Sequence, residues 1–76
     1  MNKIYILFED NKVKYVATDK RNVMRVAKEK YNITNQEKKM LYQFGGVTIG
    51  NPNPDSSNVF ITLSIQEVET NTFINN

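Results

Sequence analysis

Residues 59–68 alternate more regularly than any other stretch of the chain. Val59, Ile61, Leu63 and Ile65 fall on one side of an extended backbone, Thr62, Ser64 and Gln66 on the other, with Phe60 and Val68 at the ends. Side chains of a strand point alternately to its two faces, so this segment reads as a central, half-buried β-strand. Everything else must pack on the Val59/Ile61/Leu63/Ile65 face or pair with the strand's edges. The 76 residues leave no room for a second core, so residues 1–76 form a single domain. A chain of this size buries only about 60% of its unfolded surface, and its stability is marginal without a staple. It has no cysteine and no histidine, which removes disulfides and a structural zinc site as staples. Association of copies is the remaining common remedy.

The flanking segments supply the partners of that strand. Lys3 to Phe8 alternates Ile4, Ile6 and Phe8 against Tyr5 and Leu7, and Val13 to Thr18 alternates Val13, Tyr15 and Ala17 against Lys14 and Val16. Asp10-Asn11 between them suits a type I′ turn, because Asp and Asn tolerate positive φ. The register this predicts sets Glu9 opposite Lys12, Phe8 opposite Val13, Ile6 opposite Tyr15 and Ile4 opposite Ala17. Thr18 or Asp19 then caps a helix to about Tyr31. Its apolar face is Val23, Val26, Ala27, Lys30 and Tyr31 with Met24 beside it, and Asn32 is its stop. Thr34-Asn35-Gln36-Glu37 is a capping box, opening a short helix through Met40, Leu41 and Phe44 that Gly45-Gly46 ends. Leu41 to Phe44 reads equally well as extended. Val47-Thr48-Ile49 is a short strand, and the Asn- and Pro-rich segment to Asn58 is a loop. Residues 70–76 carry Phe73 and Ile74 among polar groups and either dock on a partner or fray. The expected fold is α+β: two layers in the order β-β-α-(α)-β-β, a mainly antiparallel sheet with one main helix packed on one face.

Charge supplies the functional lead. The net charge is only +2, but all ten Lys and Arg lie in residues 1–39 beside five acids, whereas residues 40–76 hold three acids and no base. Lys20 and Arg21 stand in the first turn of the predicted helix, where the helix dipole disfavours cations by about 0.3–1 kcal/mol each. A bound anion would explain them, with Arg25 and Lys28 extending the stripe; snorkelling surface cations explain them as well. Of the tyrosines, Tyr15 and Tyr31 read as core edge, leaving Tyr5 and Tyr42 as candidate stacking rings. Gly45 and Gly46 allow a ligand close to the backbone, although a helix stop accounts for them too. Duplex nucleic acid needs a broader basic surface than this chain offers.

The sequence argues against catalysis more firmly than it argues for any activity. Without His or Cys, the common general base near neutral pH and the strongest nucleophile are both missing. Glu67 and Glu69 share a strand face but lie at its polar end. No calcium-loop spacing exists, and the glycines match neither the Walker nor the dinucleotide fingerprint. No apolar run approaches the roughly 20 residues of a membrane span, and the cysteine-free composition fits a reducing cytoplasm. The cytoplasm is the expected location, with no membrane partner, cofactor or metal.

Met1-Asn2-Lys3-Ile4-Tyr5-Ile6-Leu7, the hairpin ending near Ala17-Thr18 and the Lys/Arg-rich helix to Tyr31 resemble a family of short bacterial and phage proteins. In these, a Lys-Val/Ile-Tyr-Ile/Val-Leu strand begins a β-hairpin, a Thr or Ser caps a helix, and a late strand rich in Glu closes the sheet. The resemblance spans residues 1–31 and loosely 59–69 and has no catalytic signature to carry over. It implies a small accessory protein of phage type that blunts host defence by binding. The expected function is therefore a non-catalytic homo-oligomer. It would sequester a small anionic, nucleotide-like signalling ligand at Lys20, Arg21, Arg25, Lys28, Tyr42, Gly45 and Gly46. The alternative is a protein-directed inhibitor that docks on a host defence enzyme through an exposed strand or the Asn51–Asn58 loop.

Overall fold

The computed structural model of the chain describes residues 3–53, 55 and 57–69. Six elements follow one another: β1 (Lys3–Glu9), β2 (Lys12–Ala17), α1 (Lys20–Tyr31), α2 (Asn35–Phe44), β3 (Gly46–Gly50) and β4 (Phe60–Glu69). The strands form one antiparallel sheet in the order β2-β1-β4-β3, so the fold is α+β with the predicted order of elements. β4 is paired on both sides, as its alternation requires. β2 and β3 occupy opposite edges, and the chain between them must cross the sheet. Helices α1 and α2 make that crossing and cover one face.

The core lies under them. Leu7, Val47, Ile49, Ile61 and Leu63 of the strands meet Val23, Met24, Ala27 and Tyr31 of α1, Ile33 of the connection and Leu41 of α2. Val26 is only half-buried and Lys30 is exposed, so the buried stripe of α1 is narrower than the sequence periodicity predicts. Val59 also departs from expectation: it is 71% exposed, because β4 begins only at Phe60 and Val59 sits in the bend before it.

The hairpin turn has the predicted form, with positive φ at both Asp10 (49°) and Asn11 (69°). Its register does not. Glu9 and Phe8 lie opposite Lys12 and Val13 as expected, but Leu7 then faces Tyr15, Ile6 faces Val16 and Tyr5 faces Ala17. Lys14 is the extra residue of a β-bulge. An unbroken ladder would set Tyr15 and Ala17 on the face of Phe8 and Val13, away from the helices. The inserted residue returns both to the side of Leu7, where they pack against the core, and the burial gained there outweighs the lost regularity.

The helix ends follow their sequence signals. Asp19 is the N-cap of α1, its carboxylate accepting the Arg21 N–H, and Asn32 ends it in the left-handed region. Thr34 and Glu37 form the capping box of α2. Residues 41–44 are helical, and Gly45 (φ 79°) closes the helix. The expectation for Phe73 and Ile74 concerns residues outside those described.

Among the described residues no helix covers the second face of the sheet. Alternation assigns to it Ile4, Ile6 and Phe8 of β1, Val13 and Val16 of β2, Gly46, Thr48 and Gly50 of β3, and Phe60, Thr62, Ser64, Gln66 and Val68 of β4. None of these residues is charged.

Candidate functional site: the cleft between the helices

The first turn of α1 does not hold a vacant anion slot. The Asp19 carboxylate accepts the Arg21 N–H at 2.9 Å, and the Asn22 and Val23 amides donate to the Asp19 carbonyl. These bonds, first the backbone one from Arg21 and then that from its side chain, hold the Asp19 carboxyl below the usual aspartate value. The chain's own carboxylate therefore offsets the dipole penalty on Lys20 and Arg21.

What the structure brings together lies slightly to one side. Arg21 of α1 and Lys38 and Tyr42 of α2, with Met24 beneath, line a depression of about 410 Å³ between the helices. Met24 is buried and Tyr42 is 47% exposed, so the cleft has an apolar floor and an accessible ring. Lys20 contacts Tyr42: its ammonium donates to the Tyr42 carbonyl at 2.9 Å and stands 4.3 Å from the centre of the Tyr42 ring. Among the described residues no carboxylate lines the cleft. The Asp19 carboxylate reaches the Arg21 guanidinium at only 3.4 Å, and that guanidinium is mostly in solvent.

Of the residues expected from the sequence, Lys20, Arg21 and Tyr42 thus converge. Arg25 pairs with Glu29 one turn on at 3.6 Å, and Lys28 donates to Asn35 at 2.6 Å. Gly45 and Gly46 make the passage from α2 into β3. The Gly45 N–H donates to Leu41, its carbonyl accepts from Ile65, and Gly46 pairs with Ser64. Lys38 was missed, and its signal was slight. It stands four residues before Tyr42 on the same helix, so the two share a side of α2.

A second depression, about 440 Å³, lies where the hairpin, the end of α1 and the β3–β4 loop meet. Lys12, Lys14 and Lys30 line it, but so do Glu9 and Asp10. Both acids serve the fold: Glu9 accepts the Tyr31 hydroxyl at 2.6 Å, and Asp10 accepts the Thr62 N–H at 2.9 Å. Two fixed carboxylates make this groove a poorer host for an anion than the cleft between the helices.

Glu67, one of the two strand acids, is bound to Lys3 at 3.2 Å, and this contact holds the Lys3 ammonium pKa above its ordinary value. Among the described residues no cluster of three or more acidic, His or Cys side chains gathers as a metal site. No helix among them is long and apolar enough to cross a membrane. Compared with models of protein families, with curated proteins and with solved structures, the chain matches none of them.

Proposed function

We propose that this chain binds a small anionic, nucleotide-like ligand in the cleft between α1 and α2, without catalysing its conversion. The observation that carries the reading is the lining: Arg21 and Lys38 beside Tyr42, over Met24, with no acid among the described residues there. A guanidinium and an ammonium there take phosphate oxygens through charge-assisted bonds. Lys20 stands over one face of the Tyr42 ring, and a base stacking on the other face would gain about 1–3 kcal/mol. An apolar floor with a few converging polar groups is the usual make-up of a small-ligand site. Binding without turnover would withdraw the ligand from whatever system reads it, the role in defeating host defence that the family resemblance implies for a cytoplasmic protein of this kind.

Thermal melting with a panel of cyclic and adenine nucleotides tests this. At least one should raise the melting temperature, and Arg21→Ala with Lys38→Ala should abolish the rise. Lys12→Gln with Lys30→Gln, in the other groove, should leave it intact. No shift with any nucleotide, or a shift that survives Arg21→Ala/Lys38→Ala, would refute the proposal.

A further inference from the structure

The uncovered face of the sheet is chemically unlike the rest of the chain. About a quarter of all residues are charged (24%), yet no residue that alternation assigns to this face is. An antiparallel sheet with one face in water normally sets polar and charged side chains there. Here Ile6 lies opposite Val16 and Phe8 opposite Val13, and Phe60 and Val13 are 66% and 58% exposed.

We infer that a second copy of this chain covers that face, sheet against sheet. Three observations select this occupant. First, a surface without charge is matched by one equally free of charge, whereas the remainder of the molecule carries the lysines, arginines and acids; the surface of that kind present at equal concentration is the same face of another copy. Second, the size is adequate. Four strands about 4.8 Å apart, some seven residues long, give a flat footprint of roughly 450 Å². Side-chain relief enlarges it, so two faces together bury on the order of 1,000 Å² or more, where specific interfaces begin. Third, the relief is self-complementary. Phe60 projects near one end of β4, and a recess of about 260 Å³ bounded by Phe8, Asn11, Ser64, Ile65 and Gln66 lies further along the same strand. A two-fold axis passing between them seats each Phe60 in the other copy's recess, as isologous association requires. The edges serve less well: β2 is interrupted by the Lys14 bulge and β3 is five residues long, both devices that discourage edge pairing. The packing also supplies the second buried layer that a chain of this length lacks.

Native mass spectrometry and sedimentation equilibrium of the full chain test this. The expected particle has twice the 8.8 kDa chain mass. Phe60→Glu and, separately, Val13→Lys should each give a folded particle of half that mass, by circular dichroism and sedimentation. Phe44→Glu, on an equally exposed apolar side chain of the helical layer (76% exposed), should leave the dimer intact. A monomeric wild-type chain overturns the inference whatever covers the face instead. So does any other stoichiometry, or a dimer that survives both face substitutions or is lost with Phe44→Glu. The cleft between the helices is on the opposite side of the sheet, so nucleotide-induced melting shifts in Phe60→Glu report on the proposed function independently.

Discussion

The Tyr31 hydroxyl donates to Glu9 Oε1 across 2.6 Å, joining two residues 22 positions apart in the chain. The bond fastens the last turn of α1 to the end of β1 and carries one of the clearest pH signatures in the molecule. Burial first, then the bond to Glu9, pushes the Tyr31 hydroxyl pKa above the ordinary tyrosine value. The folded chain therefore keeps this proton at a pH where the unfolded chain has begun to lose it. The stabilisation is complete below about pH 10, the unfolded tyrosine value, and falls as pH rises beyond it. Tyr31→Phe should cost about 1.5–3 kcal/mol near neutral pH, as loss of a bond to a charged acceptor does. Urea unfolding should show a shallower decline above about pH 10 in the variant than in the parent; parallel declines would contradict the assignment.

The glycines separate by backbone conformation. Gly45 has φ of 79°, a region where a Cβ is strained, so Gly45→Ala should destabilise by about 1 kcal/mol. A Cβ at Gly50 would meet only open space, and its φ lies outside the left-handed region. Gly50→Ala should be neutral or gain up to about 1 kcal/mol through the unfolded chain. Equilibrium denaturation of the two variants checks the pair, and an equal loss in both would be inconsistent with this reading.

The bulge at Lys14 keeps Tyr15 and Ala17 on the core side of β2. Deleting Lys14 joins Val13 directly to Tyr15, so the ladder becomes unbroken with Tyr15 still opposite Leu7 and Ala17 still opposite Tyr5. Both stay buried on the same face, and the deletion should melt within a few degrees of the parent. Lys14→Ser, which keeps the inserted residue, should also melt close to the parent. A fall of roughly 10 °C or more for the deletion, the size of a loss of about 2 kcal/mol in a domain this small, would show that the bulge itself is required.

Ligand binding in the cleft should be salt-sensitive. The Arg21 guanidinium is largely exposed, and the Debye length shrinks from about 10 Å at 0.1 M salt to about 3 Å at 1 M. Affinity for a nucleotide triphosphate, read by isothermal calorimetry, should drop at least several-fold over that range. An affinity independent of salt would point to apolar recognition.

Local signals in the sequence were faithful where one residue type decides one conformation. Asp10-Asn11, the Thr34–Glu37 box and the Asn32 and Gly45 stops each predict a backbone geometry found in the fold. The strand register was illegible for a physical reason: β1 is apolar on both faces, Ile4, Ile6 and Phe8 against Tyr5 and Leu7. Alternation alone does not say which set faces the helices; pairing with Ile65 of β4 and Tyr15 of β2 places Leu7 there. The site was legible in part. Lys20 and Arg21 stood out as cations at a helix start, yet their relation to Lys38 and Tyr42 depends on how α2 returns beside α1, and no spacing in the chain encodes that turn.

The most direct test of the central claim is a titration of the isotope-labelled chain with a nucleotide triphosphate, followed by amide and side-chain NMR shifts. The account predicts saturable shifts centred on Arg21, Lys38 and Tyr42, with the Lys12, Lys14 and Lys30 groove and the open sheet face unmoved. An unchanged spectrum, or shifts centred on that groove, would contradict it.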